Sequence, residues 1–391
     1  MNMATAVKMP QAERSGSPPN LLLVVLCLLL TIGLLMMTSA SLEIAGSQYG
    51  DSFYYFKRQL LFVGIGLGVL VITLHIPMRF WYRMGYPLLL VSVCLLWLVL
   101  YVGKNVGGSV RWLDLGVFNL QPSEMAKVFV VLFTAAYLER HIEKVRERWL
   151  ALFILLGLVS VAVGLILLEP DHGVSGIMVV TVFCMIFLAG IKIGRLMVML
   201  TLGIVALVSY AQMKSYEYLI ARFQSFLEPC APEYVYSSGY QLCQALIGFG
   251  RGEWYGVGLG SSIQKLYFLP EAHNDFLLAI IGEELGLLGV AAVILLFCLL
   301  VGKGFSIAGK AQQSGNLFNG FVAYGISLLF AGYSLYHIGM NIGLLPTKGL
   351  TLPFLSYGGS NLIMACFQLA LLLRIQFETT AATRLSQRLP A

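Results

Sequence analysis

Ten apolar runs recur along the chain, at about 21–40, 59–75, 86–102, 123–138, 150–168, 174–190, 196–211, 276–301, 318–338 and 357–375. Each is close to the roughly 20 residues a helix needs to cross the hydrocarbon core of a bilayer. The pattern predicts an all-α polytopic membrane protein of about ten transmembrane helices, with both termini on the same side. The runs at 123–138 and 196–211 are the shortest, and the first of these contains Lys127. A long segment, 212–275, separates the seventh run from the eighth. No cleavable signal peptide is expected, because the first run is long enough to cross and lacks a small-residue cleavage site. Residues 1–20, rich in proline and polar side chains, read as a flexible tail, and 376–391 as a short polar, basic one. Residues 21–375 then form one membrane domain with no repeat of fixed period.

Composition agrees with the pattern and excludes a soluble globule. The chain is 58% hydrophobic and 11% charged, against a charged share of about 25% in soluble domains. The distribution of the charges orients it. With the N-terminus cytoplasmic, 15 of the 25 Lys and Arg residues fall on the inner side, including Arg79, Arg83, Arg140, Lys144, Arg146, Arg148, Lys192, Arg195 and Arg374. Nine fall outside, four of them in 212–275, and long loops cross largely regardless of charge. The 212–275 loop is therefore expected to be extracytoplasmic. The sequence pI of 8.9 reports this asymmetry rather than a nucleic-acid partner. The run Arg140–Arg148, interleaved with Glu139, Glu143 and Glu147 at helical spacing, reads as a solvated cytoplasmic turn.

Most of the seven cysteines lie within apolar runs. Cys230 and Cys243 share the long loop, where an oxidising compartment permits a bridge; two free thiols are the simpler account. The five histidines are scattered without zinc-ligand spacing.

Candidate chemistry concentrates in the outer loops. The 212–275 segment has too many helix breakers to span and is too apolar for a linker. It is expected to lie on the outer surface as short amphipathic pieces, with Tyr240, Phe249, Trp254 and Tyr255 at the interface, either as a structural lid or as one that also meets a lipid-linked substrate. The segment GKNVGGSVRWLDLGVFNLQPSEMAKV carries Arg111 and Trp112 ahead of a helix start at Pro122, Ser123 and Glu124. EPDHG supplies Glu169, Asp171 and His172 in a tight turn. NIGLLPTKGLTLPFLSYGGSN supplies Lys348 among prolines and glycines, and LPEAHNDFLLAIIGEELG places Glu271 and Asp275 at the head of the eighth run. Broken backbone of this kind is tolerated at a membrane only where it is buried or lines a wet cavity. A partly desolvated Asp275 can serve as a general base or as a helix N-cap. Lys348 can be an interfacial anchor or part of the same site.

GGSVRWLDLG with QPSEMAK, LEPDHG, LPEAHNDFLLAIIGEELGLLG and NIGLLPTKGLTLPFLSYGGSN, in this order, resemble the signature segments of the SEDS family (shape, elongation, division and sporulation), nearest its division-specific members. The resemblance implies a peptidoglycan glycosyltransferase of the bacterial cytoplasmic membrane that polymerises lipid II during septal wall synthesis. It implies a class b penicillin-binding protein as partner, together with other divisome membrane proteins, and Asp275 as the match to the family's essential aspartate. Tyr267 stands where some division members have an acid, which leaves Glu271 as the nearest alternative. In that reaction Arg111 and Lys348 would meet the departing pyrophosphate, Trp112, Glu169, Asp171 and Glu271 would line the substrate site, and a divalent cation, magnesium or manganese, could share the charge. Alternatives are a lipid II flippase, an elongation-type polymerase or a scaffold. A transporter should carry ionisable groups near the midplane, whereas here Lys127, Glu124, Glu283 and Glu284 are the exceptions and the glutamates lie toward the ends of runs.

Overall fold

The computed structural model describes residues 20–106, 109–114, 116, 119–195, 197–199, 201, 203 and 225–388. Nine of the ten apolar runs are helices: α1 (Leu21–Tyr49), α2 (Tyr54–His75), α3 (Met78–Val102), α4 (Pro122–Glu147), α5 (Trp149–Leu168), α6 (His172–Leu188) and, after the long loop, α8 (Leu277–Gln313), α9 (Leu317–Asn341) and α10 (Gly359–Arg388). Of the run at 196–211 only 197–199, 201 and 203 are among the described residues. Seven of the nine helices are long and apolar enough to cross a membrane, while α6 is shorter and α4 carries more charge.

Local sequence sets the ends. Asn20 accepts the Leu22 N–H at 3.3 Å to cap α1, Asp171 accepts that of Val174 to cap α6, and Pro122 opens α4, where its missing N–H costs nothing. Gly50, at φ 68°, closes α1 in the left-handed conformation. The helices outrun the apolar runs: α4 continues to Glu147 through a distortion at His141, α8 to Gln313 and α10 to Arg388. Amphipathic turns beyond the hydrocarbon keep their backbone hydrogen bonds whether or not the side chains are apolar.

At the centre lies α4, buried without interruption from Ala126 to Leu138. It packs against α3, α9, α5 and α6, while α8 packs chiefly on α9, and α2 on α10. Close approach depends on small residues. A Cβ at Gly33 would meet the Phe354 carbonyl oxygen at 2.5 Å, and one at Gly85 the Ala136 methyl at 2.8 Å.

The bundle is helical as expected, and the loop between α3 and α4 adds a small three-stranded antiparallel sheet in sequential order: β1 (Lys104–Val106), β2 (Ser109–Asp114) and β3 (Asn119–Leu120), with Lys104 opposite Trp112 and Leu113 opposite Leu120. Its strands are too short to show an alternating pattern. Cys230 and Cys243 are joined by a disulfide, with Cα atoms 5.1 Å apart, rather than left as free thiols.

Cys243 lies on α7 (Tyr240–Gly252), an amphipathic helix inside the long loop, whose buried side of Leu242, Ala245 and Gly248 rests on α8. Phe249 packs on Gly282, while Trp254 and Tyr255 are exposed. The loop then grips a break in α8. Gly286, at φ 66°, interrupts that helix, and the freed carbonyls of Glu283 and Glu284 accept the Val257 and Gly258 N–H groups at 2.9 and 3.1 Å. Both glutamate side chains are fully buried. Glu283 accepts from Arg251, Ser262 and the Ile263 N–H, and Glu284 from Ser39 and Lys265. A buried carboxylate with this many donors is held as a structural tie.

Candidate active site

The ends of α1, α3, α5 and α9 and the starts of α2, α4, α6, α8 and α10 share one face of the bundle, and the loops between them bring most of the candidate residues together. Arg111, on β2, donates from Nε to the Glu169 carbonyl at 2.9 Å and from a terminal nitrogen to the Pro170 carbonyl at 2.7 Å. The sheet is thus tied to the α5–α6 turn, and the guanidinium still acts electrostatically on Asp171 and Asp275. Lys348, in the α9–α10 loop, acts on Asp171. Its neighbour Gly349 lies so close to Asp275 that a Cβ there would meet Oδ2 at 3.3 Å, and Leu350 packs on Gly173 in α6.

Asp275 ends a tight turn before α8. The turn is built on Glu271, whose carbonyl accepts the N–H groups of Asn274, Asp275 and Phe276 and whose own φ is 55°. The expected alternative role, helix capping, is not what the carboxylate does: the N-cap is Phe276, and no side chain caps α8. Among the described residues the Asp275 carboxylate accepts no hydrogen bond. Its side chain keeps some accessible surface while the surrounding protein leaves the charge poorly hydrated. That desolvation, with the negative charges of Glu271 and Asp171 adding to it against the pull of Arg111, pushes its pKa up to about 7.

The other acids differ from expectation in placement. Glu169 is fully buried, its two carboxylate oxygens have no hydrogen-bond partner, and burial followed by the Asp171 charge pushes its pKa up to about 8. Asp171 is 4% exposed, caps α6 and is also raised by burial. Glu271 is exposed and holds Asn274 through Oε2. Trp112 is half-buried on β2 opposite Lys104. Tyr267 points elsewhere, its hydroxyl bonded to Ser47 at 2.5 Å. Among the described residues no three His, Cys, Asp or Glu side chains are grouped to ligate a metal.

One group of functional weight was not singled out from sequence. Asn341, fully buried at the end of α9, donates to the Asp275 carbonyl at 3.1 Å and to the His337 carbonyl one turn back at 2.9 Å, and His337 is itself fully buried beside it. A polar pair four residues apart in an apolar run was the available signal. Deeper in, Lys127 contacts Glu124 at 2.6 Å and lies 3.7 Å from the centre of the Tyr333 ring, so the lysine within a span is paired and stacked rather than bare.

A many-helix membrane bundle with a poorly hydrated carboxylate and two cationic side chains on one face defines a membrane-embedded protein with a loop-built polar centre. Residues 19–381 match the cell cycle protein family of FtsW, RodA and SpoVE, and the chain belongs to that family. It is 45% identical to the probable peptidoglycan glycosyltransferase FtsW of Pseudomonas fluorescens, over 90% of this chain and 86% of that protein, and 43% identical to the FtsW of Hahella chejuensis, over 93% and 91%. Among solved structures it resembles a chain of a peptidoglycan synthase complex that coordinates polymerization and crosslinking, at 25% identity, TM-score 0.75 and coverage of 92% and 97%. It also shares the fold of the rod shape determining protein RodA of Thermus thermophilus, with TM-score 0.66 and 24% identity over 91% and 96%.

Proposed function

We propose that this chain is a peptidoglycan glycosyltransferase that polymerises lipid II during septal wall synthesis, with Asp275 as general base. The relatives' shared activity supports the reaction class. The observation that carries the base is a carboxylate with no hydrogen bond among the described residues, partly accessible, beside Gly349 and within the field of Arg111.

The donor brings its own leaving group, undecaprenyl pyrophosphate on C1 of N-acetylmuramic acid. The acceptor's 4-hydroxyl must lose a proton as its oxygen bonds to C1, and the C1–O bond electrons depart with the pyrophosphate. Asp275 takes the proton, a contribution of about 10²–10⁴-fold. Because pyrophosphate leaves without protonation, a second carboxylic acid of the kind glycosidases use is unnecessary. Arg111, fixed by the 169 and 170 carbonyls, directs its remaining N–H donors at the phosphates, and Lys348 adds a point charge. Glu169 then serves through its main chain, holding Arg111, and Asp171 by starting α6. A magnesium or manganese ion would rest on the pyrophosphate with one or two of the carboxylates; no step here passes through it. The poised base on a loop-built face favours polymerisation over lipid II flipping, since the glutamates inside α8 are committed to structural ties.

A class b penicillin-binding protein is the proposed partner, supported by the likeness to a synthase complex, and the division septum the proposed location. The test is polymer formation from lipid II by purified protein with that partner. Asp275→Asn keeps size but cannot take the proton, so glycan should fall by about 10²-fold or more with thermal stability equal to or above that of the wild type, because the desolvated charge is gone. Near-normal polymer from this variant would remove Asp275 as base.

A further inference from the structure

We infer that the face opposite Asp275 carries a binding cleft for the phosphodiester headgroup of an anionic phospholipid. A small cleft of about 50 Å³ opens there between α8 and α10, its lining including Lys303, Ser306 and Lys310 of α8 and Gln376 and Thr380 of α10. Lys303 lies far along α8 from Asp275, about 40 Å at 1.5 Å per residue, so the cleft sits one bilayer thickness from the proposed reaction.

Three observations identify the ligand chemistry. Lys303 and Lys310 are two helical turns apart on one side of α8, and among the described residues neither ammonium has an ion pair or hydrogen bond. Among the described residues no carboxylate lines the cleft, because Glu378, the acid of this stretch of α10, is engaged by Arg374 at 2.8 Å and by the Met78 N–H at 3.0 Å. The Ser306 hydroxyl and the Gln376 amide add neutral donors; the Thr380 hydroxyl is already given to the Gln376 carbonyl at 2.8 Å, and the amide oxygen of Gln376 accepts from Asn20, which turns its N–H₂ to other partners. Two cations with hydroxyl and amide donors and no competing anion recognise a phosphate oxygen, as basic pockets between transmembrane helices do.

The lipid source follows from what adjoins the cleft. Leu295 and Leu299 precede Lys303 at four-residue steps, forming one exposed ridge of α8 that leads from the membrane interior to the ammonium, 59% and 37% exposed. Phe377 stands 65% exposed next to Gln376. An acyl chain on the ridge with its phosphate at Lys303 covers both surfaces at once, which free phosphate cannot do.

The experiment is native mass spectrometry of the full-length protein, extracted from vesicles of phosphatidylcholine with phosphatidylglycerol and stripped by graded detergent. One phosphatidylglycerol per chain should survive stripping in the wild type. Retention should fall at least tenfold in Lys303→Gln/Lys310→Gln and, without any change of charge, in Ser306→Ala/Gln376→Leu. The control Lys144→Gln/Lys192→Gln removes two exposed lysines elsewhere on the same face and should retain the lipid. Equal loss in that control, or no retained lipid in wild type, would refute the site. Displacement by millimolar glycerol phosphate as effectively as by the lipid would refute the lipid assignment in favour of a soluble phosphate. None of these outcomes depends on glycan synthesis.

Discussion

At the scale of single residues, the chemistry depends on how one carboxylate is solvated. Asp275 has its pKa pushed up to about 7 by burial and by neighbouring acids. A base must be ionised, so kcat/KM, which reports the free enzyme, should rise with pH through about 7 and level off above it. In the Asp275→Glu variant the displaced carboxylate should shift that limb as well as lower the plateau. A profile flat from pH 5.5 to 8 would contradict the assignment. The same shift carries a cost in stability: the folded state binds the Asp275 proton more tightly than the unfolded state does, so this residue's contribution is fully present below about pH 4 and is lost as pH rises to about 7. Asn341 acts through Asp275 by holding its carbonyl. Asn341→Leu should lower kcat by about 10-fold or more, since small misplacements of a reacting group are costly, with KM little changed, while Asn341→Gln recovers part of the loss. Equal activity of the Leu variant and wild type would leave the hydrogen bond without a positioning role.

Among the elements, the contact between the long loop and α8 is the most specific. Gly256 has φ 79°, and a Cβ there would lie 2.2 Å from the Glu284 carbonyl oxygen. Gly256→Ala therefore combines a left-handed backbone with a clash against main chain, for a loss of about 2–5 kcal/mol. Gly250, on α7 with nothing within 4 Å of its virtual Cβ, is the control, and Gly250→Ala should be neutral or mildly stabilising. Thermal unfolding and limited proteolysis of the loop distinguish the two. Equal behaviour would mean that the loop does not depend on the break at Gly286. The amphipathic pieces expected in this loop exist as α7, but the break in α8 that receives them lies inside an apolar run. Nothing in its pattern distinguished Gly286 from other glycines there.

For the whole molecule the asymmetry of Lys and Arg sets a direction across the membrane. Ser237, exposed in the long loop, and Ser314, exposed between α8 and α9, lie at opposite ends of the bundle. Single cysteines at these positions are best placed in a background that keeps the Cys230–Cys243 bridge and lacks Cys27, Cys94, Cys184, Cys298 and Cys366. An impermeant thiol reagent should label position 237 in intact spheroplasts and position 314 only after lysis. The reverse pattern would invert the orientation, and with it the side on which Asp275 works.

Sequence alone determined the class of fold, the positions of nine helices, the polar loops and the family, because bilayer crossing imposes a length and an apolarity that any single segment reveals by itself. It also singled out Asp275, Arg111 and Lys348, since charged residues beside broken backbone are costly at a membrane. Tertiary structure decided which of these meet. Gly349 against Asp275, Arg111 on the Glu169 and Pro170 carbonyls, and Asn341 on the Asp275 carbonyl join segments 58 to 74 residues apart. It also separated acids that look alike in sequence: the Asp275 carboxylate accepts no hydrogen bond among the described residues, Asp171 caps a helix, Glu169 is buried, and Glu283 and Glu284 are tied to the loop. The number of donors each carboxylate finds, and the water it keeps, are set by neighbours distant in the chain, and those neighbours are assigned only when the helices pack.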